Sequence, residues 1–365
     1  MVLQVEKNSK MCYFIKKQIQ MFKIGRNFSM ENPEKIKVGV IGVGALGRHH
    51  ARLYAQNPGA EVVGIFDVQS ETAQKVGAEF GLKVFDSWEA LAEKCDALSV
   101  AVPATYHGST TLPLLAMKKH ILVEKPIAAT VEEAEQMVNA ARENGVVLGV
   151  GHVERFNPAM DYLHNCHTTP RFIEVHRLAK FPPARPGMLP RGTEVSVILD
   201  LMIHDIDLVL SLVRSDVEKI DVFGAPVLSA TEDIVNARIK FANGCCAVLT
   251  ASRVSQDPMR RFRVFQEDSC ISMDLGNHCG TIQKRCDTGL VREDVELEEK
   301  NALAEELDNF LNAVRKTQAS GTVTDTKVSG VQGLQALQLA VAIEKEARRY
   351  NGQYGFKFGP AVANK

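Results

Sequence analysis

The chain has 365 residues, long for one domain and comfortable for two. Its 45% apolar and 24% charged content is that of an ordinary globular protein. A net charge of -1 leaves no basic footprint for nucleic acid or an anionic membrane surface, and no apolar run approaches the length of a membrane span.

Residues 1–34 carry Lys16, Lys17 and Arg26 among scattered apolar positions and lack the continuous apolar core of a signal peptide. Met30 stands just before Glu31-Asn32-Pro33-Glu34-Lys35 and is read as the natural start. Residues 1–34 are thus expected to be an N-terminal extension, disordered or, over 1–29, not native.

An apolar run then leads into Gly42-x-Gly44-x-x-Gly47, followed by a helical stretch, a second apolar run from Val62 to Phe66, and Asp67, 20 residues beyond Gly47. Strand, glycine turn, helix, strand and acid form one βαβ unit of the kind that binds a dinucleotide. Gly42 allows the tight turn, Gly44 lets the backbone approach a pyrophosphate, and Gly47 lets the helix close onto the strand. The free N–H groups at the helix N-terminus favour phosphate there. A carboxylate at Asp67 accepts from a ribose 2′-OH and repels a 2′-phosphate; Val68 and Gln69 follow it, with no Arg to hold that phosphate. NAD is therefore expected rather than NADP.

Onward, strands are predicted at 36–41, 61–66, 83–85, 97–102, 120–123 and 146–150, and helices at 45–56, 71–79, 88–94, 107–118 and 130–144. This alternation predicts a doubly wound parallel sheet over residues 35–151. From residue 152 the pattern changes. Alternating runs at 171–178, 218–224, 233–241, 245–253, 260–267 and 269–274, with a hairpin turn at Asn243-Gly244, predict an α+β domain on a large open, mostly antiparallel sheet. Helices are expected near 196–213, 302–316 and 329–349. The Pro-rich stretch 181–186 reads as a loop near the site or at a subunit contact. Eight cysteines, none in a CxxC pair, read as thiols of a reducing, cytoplasmic setting.

Three places could carry chemistry. Lys125, between Glu124 and Pro126, leaves a parallel strand at the sheet edge where ligands bind. Beside a cationic nicotinamide its ammonium would be disfavoured, which suits proton exchange; an exposed loop lysine is the alternative. Asp200 and His204, spaced i to i+4 in an apolar helical stretch, fall on one helix face. A carboxylate there can orient the imidazole as a general base. A satisfied core histidine, or a metal site with Asp205 and Asp207, are the alternatives, and no metal is expected. Finally, Arg155 could clamp an anionic substrate group. Asn157 either assists it or caps a helix starting at Pro158. His107 either lines the cofactor site or caps its own helix.

Together these elements resemble the glucose-fructose oxidoreductase/inositol dehydrogenase family, often written Gfo/Idh/MocA. The likeness rests on the glycine motif, Asp67, the strip Val102, Pro103 and His107, Glu124-Lys125-Pro126, Asp200-x-x-x-His204, and the closing pattern around Leu307, Phe310 and Gly333. It implies a Rossmann domain, a C-terminal sheet that commonly forms dimers or tetramers, and Lys125 and His204 flanking the substrate carbon, with Asp200 beside them. It also implies a cis bond before Pro126. Ala104 departs from the family's frequent Asn and removes one polar contact to the cofactor. The expected cofactor-binding residues are Gly42, Val43, Gly44, Ala45, Leu46, Gly47, Asp67, Val102, Pro103, His107, Glu124 and Lys125. The expected substrate-binding residues are Lys125, Arg155, Asn157, Asp200 and His204.

Within the family, the stretch 151–158 and Asp200-Leu-Met-Ile-His204 are similar to nucleotide-sugar 3-dehydrogenases. That resemblance implies NAD-dependent oxidation of C3 of a UDP-N-acetylhexosamine or its uronic acid. The alternatives are a free-sugar or inositol dehydrogenase of the same fold and a non-catalytic NAD-binding regulator.

Overall fold

The computed structural model describes residues 34–166, 169–183, 190, 192–287 and 289–355. The expected extension lies outside them apart from Glu34, and so does the second half of the Pro-rich stretch. Five parallel strands, β1 (Ile36–Ile41), β2 (Ala60–Phe66), β3 (Ala97–Val100), β4 (His120–Glu124) and β5 (Leu148–Gly151), form a sheet in the order β2-β1-β3-β4-β5. Helices cover both faces, so β3, β4 and β5 are buried at every residue, as parallel strands must be.

The helices are α1 (Gly47–Gln56), α2 (Ser70–Phe80), α3 (Trp88–Ala92), α4 (His107–Ala116) and α5 (Val131–Asn144). Ser87 and Thr130 cap α3 and α5 by accepting from backbone N–H groups. No side chain caps α1. The expected strand at 83–85 contributes a single bridge, Val84 against Ile65. It is too short to propagate a ladder, and Lys125 consequently leaves the fourth strand of the sheet rather than the fifth.

The second sheet has eight strands: β6 (Phe172–Leu178), β7 (Val217–Ala225), β8 (Ile234–Phe241), β9 (Cys246–Ser252), β10 (Met259–Phe265), β11 (Ser269–Asp274), β12 (Cys279–Cys286) and β13 (Gly289–Glu296). Their order is β13-β12-β11-β10-β6-β9-β8-β7. Only β6 and β9 pair in parallel. The last two strands are not expected from the sequence. In β13 one residue of eight is buried, so there is no apolar alternation to read.

On the covered face lie α6 (Pro158–Asn165), α7 (Ile203–Val213) and α9 (Gly330–Tyr354), with Ile203, Ile206, Val209, Ala340 and Ile343 against Val235, Ile239, Leu249 and Phe262. Helix α8 (Ala302–Ser320) instead returns to the first sheet, where Leu307, Phe310, Leu311 and Val314 pack with Ile36, Val38 and Tyr54. Each such side chain stabilises by about 1.5–3 kcal/mol. The two sheets fall on either side of residue 152, but this helix, from beyond it, packs on the first sheet.

Candidate active site

The glycine turn is built as dinucleotide binding requires. Gly42 has φ +82°, and a Cβ there would lie 2.8 Å from the Ala101 carbonyl oxygen. At Gly47 a Cβ would sit 1.8 Å from the Gly42 oxygen, so strand and helix close only around hydrogen. At Gly44 a Cβ meets nothing within 4 Å, and Gly44, Ala45 and Leu46 are exposed, while Val43 is buried beneath them. An exposed turn, an uncapped helix start and open space at the middle glycine fit a pyrophosphate. Asp67 stands at the tip of β2, and its carboxylate accepts from Val43 N (2.8 Å) and Gln69 N (2.8 Å), tying strand tip to turn.

Along the same C-terminal edge, β3 runs into Val102 and Pro103, and β4 into Lys125. The Lys125-Pro126 peptide is cis, as the resemblance implies. His107 is buried; its Nδ1 lies 2.8 Å from the Pro126 oxygen and its Nε2 2.9 Å from the Val102 oxygen. It clips the two strand ends together and presents no ring nitrogen to a ligand, which corrects its place among the cofactor contacts. Burial lowers its pKa, although the two carbonyls oppose the shift. Glu124 is corrected likewise. Its carboxylate turns inward to His50 Nε2 at 2.9 Å. Burial alone would raise its pKa, but His50 and Lys125 hold it below the ordinary range.

Lys125 Nζ crosses to the second half of the molecule. It donates to the Asp200 carbonyl at 2.7 Å and lies 3.8 Å from the Asp200 carboxylate. Asp200 sits in a π-turn, Ile198–Met202, that leads into α7. Such turns insert a residue into the helical spacing. No hydrogen bond joins Asp200 to His204 among the described residues, so the expected carboxylate–imidazole pairing is replaced by pairing with Lys125.

His204 instead faces His152, edge to face, with ring centroids 6.1 Å apart. Its Nδ1 is buried without a hydrogen-bond partner. Burial drives its pKa well below the ordinary value, and the charges of Lys125, Arg177, His152 and Arg260 add to the shift. His204 is therefore held as a neutral imidazole.

Arg155 and Asn157 lie away from any open face. Buried Arg155 donates to Asp207 (3.1 Å) and to the Lys327 carbonyl (3.2 Å). Asn157 Oδ1 accepts from Ala159 N, capping α6, while its Nδ2 donates to the Leu275 carbonyl. Both expected substrate contacts are thus structural pins. The residues that sequence reasoning passed over are His152, Arg177 and Arg260, while Asp207 entered it only as a candidate metal ligand. Arg177 forks onto Asp205 and reaches Glu154 at 2.9 Å. Arg260, opposite it on β10, reaches the same Glu154 at 3.4 Å with most of its side chain exposed. These two acids and two arginines form a ladder beside His204. His152 follows directly on a strand ending at the ligand-binding edge, and that position was the available signal.

A glycine turn for a dinucleotide and a lysine–histidine pair at the same sheet edge define a nucleotide-dependent oxidoreductase. Residues 36–152 match the oxidoreductase family with an NAD-binding Rossmann fold, and residues 168–272 match the GFO/IDH/MocA C-terminal domain. The chain belongs to the Gfo/Idh/MocA oxidoreductase family. It is 36% identical to UDP-N-acetylglucosamine 3-dehydrogenase of Acidithiobacillus ferrooxidans over 86% of this chain and 99% of that one. The solved structure of that enzyme superposes with a TM-score of 0.80 over 87% of this chain and 99% of that one, at 34% identity. Glucose-6-phosphate 3-dehydrogenase of Bacillus subtilis is 32% identical over 49% of this chain and 54% of its own. A levoglucosan dehydrogenase, solved with NADH and levoglucosan, shares the fold at 19% identity, with a TM-score of 0.75 over 87% of this chain and 98% of that one.

Proposed function

We propose that the protein is an NAD-dependent dehydrogenase that oxidises a ring hydroxyl of a sugar to a ketone, at C3 of a UDP-N-acetylhexosamine or its uronic acid. The observation that carries this reading is the meeting of Lys125 with the π-turn that delivers His204, a cation and a neutral base from two elements at one sheet edge. The choice of sugar is supported by the 36% identity to a UDP-N-acetylglucosamine 3-dehydrogenase across nearly its whole length.

Residues 42–47 would hold the pyrophosphate and Asp67 the adenosine ribose, which disfavours NADP. Bound there, the nicotinamide would supply the hydride acceptor. His204 takes the hydroxyl proton, and the Lys125 ammonium hydrogen-bonds the same oxygen and stabilises the developing alkoxide. Asp200 holds Lys125 in place. Arg260 offers the exposed cation that an anionic substrate group needs, the role expected of Arg155. The face of the eight-stranded sheet turned away from α7 and α9 is the surface we assign to a homodimer or tetramer, and the free cysteines fit a cytoplasmic setting.

The test is a panel of UDP-sugars, free sugars and inositols with NAD, followed by NADH absorbance. Turnover is expected with a UDP-N-acetylhexosamine or its uronate. Turnover confined to inositols or free sugars would overturn the substrate assignment, and NAD binding with no turnover on any of them would overturn the catalytic one.

A further inference from the structure

Beneath His204 lies a corner of buried polar atoms that the reaction outlined above does not use. His152 is fully buried and neither of its ring nitrogens has a hydrogen-bond partner. His204 Nδ1, Asp207 Oδ2 and Arg155 Nε share that condition. Asp207 is fixed by Arg155 through its other oxygen, at 3.1 Å. A buried polar group without a partner loses its hydration and regains nothing, so five in one corner conflict with a stable fold. A small polar occupant resolves the conflict, because buried water takes two to four hydrogen bonds from such groups. Rings that are perpendicular with centroids 6.1 Å apart stand too far apart for a good N–H···N bond. They suit two bonds of about 2.9 Å through one water.

We propose that His152, backed by Asp207, is the positioning residue for His204 and acts through one ordered water bridging the two imidazoles. The water accepts from His204 Nδ1–H, which leaves the Nε2 lone pair free as the base. It donates onward to one nitrogen of His152, whose other N–H reaches Asp207 Oδ2 through a second water, since neither atom has a direct partner. When His204 accepts the substrate proton at Nε2, the new charge is offset along this chain by the Asp207 carboxylate. The device takes the place of the Asp200–His204 pairing that the sequence spacing suggested. It rests on the reading of His204 as the base.

The charged groups facing His152 are Asp207 from α7, Lys125 and Glu124 from the end of β4, and Arg155 from the turn after β5. Burial is the largest influence on its pKa and, on balance, lowers it. A neutral His152 can accept from water at one nitrogen and donate at the other, as the chain requires.

The test reads the tautomer of His204 directly, by 15N NMR of histidine-labelled protein without substrate. Wild type and His152→Gln, which can both donate and accept, are expected to hold His204 in the Nδ1–H form. His152→Phe, which fills the space without hydrogen bonding, is expected to shift His204 toward Nε2–H. It should also lower kcat on the order of ten- to a hundredfold with KM within about twofold, a part of what general-base catalysis contributes. His152→Gln should recover most of that loss. An unchanged His204 tautomer in the Phe variant would overturn the proposal. If that variant does not fold, His152→Asn, too short to span the gap, takes its place in the same measurement, and an unchanged tautomer there overturns the proposal equally. Failure of the dehydrogenase reading is separable, since it appears as no NADH from wild type on any sugar, whereas the tautomer is measured without turnover.

Discussion

The glycine turn at residues 42–47 and the His204 corner lie on one side of the molecule and are built from opposite materials. At the turn, backbone does the binding. Three consecutive residues are exposed, the helix start is uncapped, and the decisive facts are two places where a Cβ cannot fit and one where it could. At the corner, side chains carry everything. His152, Asp205, Asp207 and Arg177 are buried and His204 is half-buried, and their charges are set by burial and by neighbours brought in from elsewhere in the chain. A binding site made of backbone tolerates solvent because phosphate is held by fixed N–H geometry. A proton-transfer site must exclude water, because its pKa shifts depend on low polarity.

The largest expected effect separates the two regions outright. His204→Ala and Lys125→Ala should each reduce kcat on the order of 10²–10⁴-fold, while NAD affinity by calorimetry stays within about twofold. Near-normal turnover in both would remove these residues from the chemistry. The turn has its own internal contrast. Gly47→Ala puts a methyl 1.8 Å from the Gly42 oxygen and should cost at least about 1–3 kcal/mol of stability. Gly44→Ala meets nothing within 4 Å, so its stability should stay within about 0.5 kcal/mol of wild type. Its NAD affinity should nonetheless fall on the order of tenfold, about 1.4 kcal/mol. Equal loss of stability in both variants would show that Gly44 serves the fold and not the phosphate.

This contrast also explains what could be read from the chain. Gly42, Gly44, Gly47 and Asp67 lie within one βαβ unit, so their roles follow from local spacing. The parallel sheet announces itself through continuous apolar runs, and β8 and β9 through alternation and the Asn243-Gly244 turn. Strands β12 and β13 give no such signal, because residues facing solvent on both sides carry no periodicity. The placements of Arg155 and Asn157 depend on partners far away, Asp207 and Leu275, which no local pattern names. Spacing of i to i+4 pairs Asp200 with His204 only in a regular helix, and a π-turn intervenes.

A smaller effect tests how closed the buried region is. Glu306, on α8, is buried with both carboxyl oxygens unpartnered, and burial, with Glu124 and Asp207 nearby, raises its pKa well above the ordinary 4.5. Above pH 4.5 the folded state thus keeps a proton that the unfolded state has lost. Stability contributed by this group therefore falls as pH rises toward the folded pKa, at up to about 1.4 kcal/mol per pH unit. Glu306→Gln mimics the protonated form and should remove that slope. Thermal melts from pH 5 to 8 should show the variant gaining on wild type as pH rises. A constant difference across the range would mean that Glu306 is ionised and solvated.

The smallest effect concerns the ladder beside His204. Arg260 contributes the least of the cations that lower the His204 pKa, and its side chain is mostly exposed. Removing a positive charge eases formation of the imidazolium, so Arg260→Gln must raise the His204 pKa toward the ordinary value. Activity that needs neutral His204 is lost as pH falls through that pKa, so the acid limb of the kcat profile should move to higher pH in the variant. Because the charge faces solvent, the displacement should shrink in about 1 M salt, where the Debye length is about 3 Å. The Lys125 and Arg177 contributions, from buried or half-buried cations, should persist there. A displacement that survives high salt would place Arg260 inside the closed corner, and none at low salt would detach the exposed half of the ladder from the base.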